Sequence, residues 1–118
     1  MKTYMEAEIT ELVDKKYRCV SVEFPREAAM RMLGIMYGLL ERKIEKLTVQ
    51  GKDSKIIITR DDMRMAVCLP YRIFEESLTE NDLEVFAACC FDIAFDQFPG
   101  AHVDLEFDDI DFSLQWSE

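Results

Sequence analysis

Apolar and polar positions alternate with a period of two along residues 5–24, with an interruption at residues 14–16, where the sequence reads DKK. In the first run Met5, Ala7, Ile9 and Val13 alternate with Glu6, Glu8, Thr10 and Leu12, and in the second run the apolar positions are Val20, Val22 and Phe24. A period of two is typical of strands with one buried face. This stretch is therefore predicted to be a β-hairpin.

After Pro25 the apolar spacing changes to three and four residues. The positions concerned are Ala29, Leu33, Met36, Leu40, Ile44 and Leu47. Proline is favoured in the first turn of a helix, and the cations near residue 46 suit the negative end of a helix dipole. We expect a first helix from Pro25 to about Lys46.

The next segments, LTVQ, KIIITR and MRMAVCLP, are separated by GKDS and DD and predict three further strands. The stretch PYRIFEESL at 70–78 is consistent with a short helix or an irregular connection. At residues 79–82 the sequence TEND is a helix-capping pattern, and LEVFAACCFDIAFDQF follows before Pro99 and Gly100. A second long helix is predicted here.

The last apolar run changes parity. Val103, Leu105 and Phe107 alternate in one register, and Ile110, Phe112, Leu114 and Trp116 alternate in the other. Because such a change needs a bulge or a turn, the segment is either one bulged strand or a tight hairpin, with the change at Asp108 and Asp109. The chain is thus predicted to be one α+β domain over 1–118. We expect a mostly antiparallel sheet of about five to seven strands carrying two long helices on one face, in the order ββαβββ(α)αβ(β).

Composition supports a single folded domain without covalent or metal staples. The 118 residues are 49% hydrophobic, and the four cysteines form no CxxC pair, so we expect them to be small buried side chains in a reducing compartment. No run resembles a signal peptide or a membrane span, and we expect a cytoplasmic protein.

Charge is distributed unevenly. Residues 1–72 contain 14 basic and 11 acidic residues, a net charge of +3, whereas residues 73–118 contain 13 acids and no lysine or arginine. A net charge of −10 argues against nucleic acid or an anionic membrane as a direct ligand, because both are polyanions. A basic protein surface is the expected partner.

Two rows of carboxylates are the candidate partner-binding residues. On the second helix Glu80, Glu84, Ala88, Asp92 and Asp96 form a stripe opposite Leu83, Phe86, Ala87, Cys90, Ile93 and Ala94. In the last strands Asp104, Glu106 and Asp108 alternate with apolar residues, and Asp109 and Asp111 continue the charge. Like charges four residues apart destabilise a helix, and lysine would protect a strand edge equally well, so a uniform negative sign favours a functional interpretation. The partner-binding set is Glu80, Glu84, Asp92, Asp96, Asp104, Glu106, Asp108, Asp109 and Asp111.

The sequence gives no support for an enzyme. His102 is the only histidine, the four glycines form no phosphate loop, and no spacing singles out a pair of carboxylates. We expect no catalytic residues, no cofactor and no metal site, since DDID lacks the calcium-loop pattern. The GIMYG at 34–38 is expected to permit close packing inside the molecule, with a homodimer through this face as the alternative.

These features favour a small acidic protein-binding module, an inhibitor or decoy that docks on the basic, nucleic-acid-binding surface of a partner such as a nuclease or defence effector. Small acidic inhibitors of restriction and CRISPR-type nucleases use the same physical principle, although no motif of theirs occurs here. One alternative is an immunity protein that neutralises a nuclease toxin. Others are a homo-oligomeric structural subunit, in which the acidic third meets the more basic part of a neighbour, and a small-ligand-binding protein.

Overall fold

The computed structural model describes residues 2–14, 17–95 and 102–116, and within them the chain has the predicted α+β fold. Two α-helices pack against nine strands, and the 3₁₀ turn Arg26–Ala28 precedes the first helix. The helices are α1 (Ala29–Leu40) and α2 (Glu80–Ala94). The strands are β1 (Lys2–Glu6), β2 (Glu8–Asp14), β3 (Tyr17–Phe24), β4 (Lys46–Gln50), β5 (Lys55–Thr59), β6 (Arg64–Cys68), β7 (Ile73–Ser77), β8 (His102–Glu106) and β9 (Asp111–Trp116).

The strands form two sheets rather than the single sheet that the sequence predicted. Sheet A has the order β1-β4-β5-β6-β7, and sheet B has the order β2-β3-β9-β8. Most neighbours are antiparallel, but β1 runs parallel to β4 and β3 runs parallel to β9. These parallel pairs join parts of the chain that are distant in sequence, so local alternation could not reveal them.

A bend at Ala7 connects the two sheets. It divides the predicted first strand into β1, which pairs with β4, and β2, which pairs with β3. The Ala7 N–H donates to the Gln50 carbonyl, 3.1 Å away, at the end of the β1–β4 pair. One continuous stretch of chain thus supplies an edge strand to each sheet.

The sheets also meet at the far end of the β2–β3 hairpin. There the Arg18 guanidinium lies 5.6 Å from the ring centre of Tyr71 and 5.1 Å from that of Phe74. Glu11 lies 3.1 Å from the Arg18 Nε and accepts a hydrogen bond from the Tyr71 hydroxyl. These contacts fasten the hairpin of sheet B to the β6–β7 connection of sheet A.

The stretch at 70–78, expected to be a short helix or an irregular connection, contains β7. Only Phe74 is buried within this strand, because β7 is the edge of sheet A and the rest of it contacts solvent. The last run forms the hairpin rather than the bulged strand. Its turn places the parity change at Asp108 and Asp109, and Phe107 N–H donates to Ile110 O at 3.2 Å.

The first helix ends at Leu40 and not near Lys46 as predicted. Arg42 has a left-handed φ of 62°, and the N–H groups of Lys43 and Ile44 both donate to the Gly38 carbonyl. Ile44 folds back over Gly38, where a Cβ atom would overlap its Cγ1 and Cδ1. Ile44 lies four residues after Leu40, a helical spacing, although it is outside the helix. The apolar pattern therefore predicted a helix that was too long.

The second helix begins as predicted. Thr79 and Asp82 form a capping box, in which each side chain accepts from the backbone N–H of the other residue. The predicted apolar side of α2 is buried, and the Phe86 ring meets the Phe112 ring of sheet B edge to face, with centroids 6.0 Å apart. Both helices contribute to one core with the inner faces of the two sheets.

The cysteines only partly follow expectation. Cys89 and Cys90 are buried in α2, where desolvation raises the pKa of both thiols, that of Cys89 to about 11. Cys19 and Cys68 instead lie half-buried on the outer faces of sheet B and sheet A. The expectation of four buried cysteines was therefore wrong for these two, because they occupy the alternating positions that face away from the core.

Candidate functional site

The outer face of sheet B is strongly acidic. Val20, Val22, Phe112 and Leu114 are buried beneath it, so the alternate side chains of each strand point away from the core. The outward side chains are Glu8, Thr10 and Leu12 on β2, Cys19, Ser21 and Glu23 on β3, Asp111, Ser113 and Gln115 on β9, and His102, Asp104 and Glu106 on β8. We call this surface the acidic face.

Its five carboxylates form two groups. At one end Glu8 and Glu23 are direct cross-strand partners, and at the other end Glu106 and Asp111 are direct partners, with Asp104 two residues along β8. Along the strands, four residues separate Asp111 from the level of Glu23, a distance of roughly 13 Å. The hydroxyl side chains of Thr10, Ser21 and Ser113 lie on the level between the two ends, in line with Asp104. Gln115, on the level of Glu23, donates from its Nε2 to the Ser21 Oγ at 3.3 Å.

Two like-charged cross-strand pairs on one sheet work against folding. Carboxylates directly opposite each other destabilise a strand pair by roughly 0.2–1 kcal/mol compared with a neutral pair. In the parts of the chain that the structure describes, none of the five carboxylates forms an ion pair with lysine or arginine. The Asp104 carboxylate lies 3.1 Å from the His102 Nε2 on the same strand.

An open groove of about 290 Å³ extends the acidic face around the bend at Ala7. Glu6, Glu8 and Glu23 line it, together with Ala7, Phe24 and Pro25. Carboxylates above an apolar floor suit a lysine or arginine side chain, whose stem is apolar and whose head is charged. The groove thus offers a cation-accepting corner at the Glu8–Glu23 end.

The outer face of sheet A differs in charge. Its described side chains include Lys46, Lys55 and Arg64, and the Arg64 Nη2 lies 3.7 Å from the carboxylate of Glu75. Both cations and anions are present there. The accumulation of uncompensated carboxylates is therefore a property of sheet B and not of every exposed sheet surface.

Asp108 and Asp109, predicted as partner-binding residues, lie in the β8–β9 turn beside Glu76 of β7. The Glu76 Oε1 is buried without a hydrogen-bond partner. Burial raises the pKa of Glu76, and the negative charges of Asp109 and Asp108 raise it further. This end of the hairpin is attached to the edge of sheet A and extends the negative surface towards it.

The helix residues of the predicted set are separate from the acidic face. Glu80 forms an ion pair with Arg60 at 2.8 Å, which gives it a structural role. Glu84 is exposed and Asp92 half-buried on the side of α2 away from the core, and Asp96 lies outside the described residues. Because α2 packs on the inner side of sheet B, the sheet lies between these side chains and the acidic face.

Two carboxylates of the acidic face, Glu8 and Glu23, were not in the predicted set. They alternate with apolar residues in the hairpin that the sequence predicted, so their outward direction was readable. What the sequence lacked was the parallel pairing of β3 with β9, which places them beside the acidic last hairpin.

No three His, Cys, Asp or Glu side chains are grouped as a metal site within residues 2–14, 17–95 and 102–116. Neither helix in this part of the chain has the length and apolar character of a membrane crossing. Comparison with protein-family models, with curated proteins and with solved structures finds no match to this chain. Its function must be inferred from the chemistry of its own surface.

Proposed function

We propose that the protein is a small acidic protein-binding module whose acidic face docks on the basic, nucleic-acid-binding surface of a partner. The observation that carries this proposal is the set of five carboxylates on one sheet face, without a lysine or arginine partner among the described residues. Their mutual repulsion opposes folding, and a cationic partner would relieve it.

The arrangement suits a surface that binds nucleic acid. Such a surface presents several lysine or arginine side chains to a polyanion, and a second set of closely spaced negative charges competes for them. The carboxylates offer charge at both ends of the face, and hydroxyl side chains between the ends offer hydrogen-bonding groups. Docking would therefore displace nucleic acid from the partner and inhibit it.

Charge reversal with a matched control tests the proposal. The variant Glu106→Lys/Asp111→Lys changes the net charge by the same amount as Glu45→Lys/Asp61→Lys, which alters exposed carboxylates outside the acidic face. Each immobilised protein is incubated with lysate of the native host at about 50 and 500 mM salt, and bound proteins are eluted with competing DNA or RNA. We expect nucleic-acid-binding proteins on the wild type and the control at low salt, and their loss from the acidic-face variant.

Cys19 provides an independent readout at the Glu106–Asp111 end of the acidic face. It is half-buried in the row formed by Leu12, Cys19, Asp111 and Glu106, whereas Cys68 lies on the outer face of sheet A. A captured partner should slow alkylation of Cys19 and leave that of Cys68 unchanged. Equal capture by the reversed and control variants, or protection of Cys68 alone, contradicts the proposal.

A further inference from the structure

The solvent side of the helix pair carries large apolar side chains. Met30 and Tyr37 on α1, Val85 and Phe91 on α2, and Phe95 directly after α2 are each 40–52% exposed. Phe91 and Phe95 stack on each other with ring centres 4.7 Å apart. Aromatic and methionine side chains are enriched at protein interfaces, and a stacked, half-exposed pair is a suitable anchor for a partner.

The helices run antiparallel, which brings these side chains together. At one end Arg60 contacts both the last turn of α1, through the Leu39 carbonyl, and Glu80 in the first turn of α2. At the other end α2 contacts the 3₁₀ turn that precedes α1. Met30, in the first turn of α1, is therefore level with Phe91 in the last turn of α2 and with Phe95 directly after it.

Small side chains separate the apolar ones. Gly34 is exposed at the centre of the outward side of α1, with no atom within 4 Å of where a Cβ would lie. Ala88 is exposed at the corresponding part of α2. Small residues on adjacent helices let another backbone approach closely, so a helix can pack against this surface.

The charged side chains of the two helices are mostly negative. The two helices contain four acids, Glu80, Asp82, Glu84 and Asp92, and one cation, Arg31. Arg31 donates to the Tyr4 carbonyl at 2.8 Å, on the flank of α1 that faces β1. A second copy of the chain would bring Glu84 and Asp92 against like charges, whereas a basic segment would complement them.

We propose that the outward surface of α1 and α2 binds an amphipathic basic helix of another protein. Apolar side chains of that helix contact Phe91, Phe95 and Met30, and its lysine or arginine side chains meet Glu84 and Asp92. This surface lies on the opposite side of sheet B from the acidic face, and the inference does not depend on the function proposed above.

The test uses a fluorescein-labelled, amidated peptide of about 18 residues, with leucine at positions i, i+3, i+4 and i+7 and lysine elsewhere. A peptide of the same composition in scrambled order controls for charge alone. Binding is followed by fluorescence anisotropy at about 150 mM salt. We expect the amphipathic peptide to bind at least about tenfold more tightly than the scrambled one.

Two variants of the outward surface of α1 and α2 are compared with one control. Phe91→Ala/Phe95→Ala and Glu84→Lys/Asp92→Lys should each weaken peptide binding by about tenfold or more, the second with a smaller salt dependence. Leu12→Ala/Ile73→Ala removes exposed apolar side chains elsewhere and should change binding by less than about twofold. Thermal melts confirm that each variant is folded, and the Lys variant keeps the test valid if the Ala variant is not.

The inference is overturned if the amphipathic peptide fails to bind, or if the scrambled peptide binds as tightly. The inference is also overturned if the two α1–α2 variants bind the amphipathic peptide with the same affinity as the Leu12→Ala/Ile73→Ala control. Sedimentation of the wild type provides a further check. A dimer that Phe91→Ala/Phe95→Ala dissociates would show that a second copy occupies this surface.

Discussion

Arg60 and Glu80 form an ion pair of 2.8 Å that joins the turn after β5 to the start of α2. The Arg60 side chain is almost entirely buried, whereas that of Glu80 is mostly exposed. The Nε of Arg60 donates at 2.7 Å to the carbonyl of Leu39, in the last turn of α1. One guanidinium group thereby satisfies groups at the ends of both helices.

Replacement of Arg60 should destabilise the protein much more than replacement of Glu80. Arg60→Leu leaves the Leu39 carbonyl unpaired and removes the link between the helices, at an expected cost of about 2–4 kcal/mol. Glu80→Gln keeps an acceptor oxygen at an exposed position and should cost less than about 1 kcal/mol. Urea unfolding measures both, and equal costs would contradict the structural role of Arg60.

Relief of a like-charged pair should stabilise the fold. Glu106→Lys places a lysine opposite Asp111 and should raise the free energy of unfolding by roughly 0.2–1 kcal/mol. The exposed control Glu45→Lys should have a smaller effect. If Glu106→Lys is more stable than the wild type yet captures less partner, the pair of Glu106 and Asp111 contributes to binding at the expense of stability. A destabilised Glu106→Lys variant would show that the repulsion is negligible.

Glu76 should make stability depend on pH. Its pKa in the folded protein is raised above the ordinary value near 4.5, so protonation favours folding and this contribution is lost as pH rises through the folded pKa. Besides Asp108 and Asp109, Arg64 also acts on this carboxylate and opposes the shift. Glu76→Gln should therefore be more stable than the wild type at about pH 7.

The advantage of Glu76→Gln should shrink as pH falls towards about 4. The measurement is urea unfolding at several pH values, with Glu75→Gln on the outward side of the same strand as the control. A constant difference between Glu76→Gln and the wild type across this range would rule out titration of Glu76 as its source.

The two glycines of α1 should respond in opposite ways to the same substitution. Gly34→Ala adds a methyl group in open space and should stabilise the helix by about 0.5–1 kcal/mol. In Gly38→Ala the new methyl group would overlap Ile44, so we expect a loss of about 1–2 kcal/mol. Thermal unfolding of both variants decides the point, and stabilisation by Gly38→Ala would mean that Ile44 moves aside readily.

Local patterns predicted the parts of the fold that depend on neighbouring residues. The capping box of Thr79 and Asp82, the buried side of α2 and the strands β5 and β6 were all readable, because they follow from residue types and spacing within a few residues. The bend at Ala7 was not readable from the sequence, because apolar and polar positions alternate in the same register before and after it. The edge strand β7 has only one buried residue and lacks a periodic signal.

The acidic face shows the same limit. Alternation correctly placed Asp104, Glu106 and Asp111 among the polar positions of the last hairpin. Their assembly with Glu8 and Glu23 depends on β9 lying beside β3, a pairing between residues such as Cys19 and Asp111 that are distant in the chain. The separation of Glu84 and Asp92 from that face likewise depends on which side of sheet B receives α2.

The position of β9 between β3 and β8 has a consequence for synthesis on the ribosome. The β2–β3 hairpin emerges early, but β3 cannot pair with β9 until residues 111–116 have been synthesised. Long-range strand pairing of this kind is slow, and the unpaired strand is exposed to aggregation. A nascent chain that stops before residue 111 carries Glu8 and Glu23 without the second group of carboxylates opposite β3. A ligand that requires both groups would thus discriminate between finished and unfinished polypeptides.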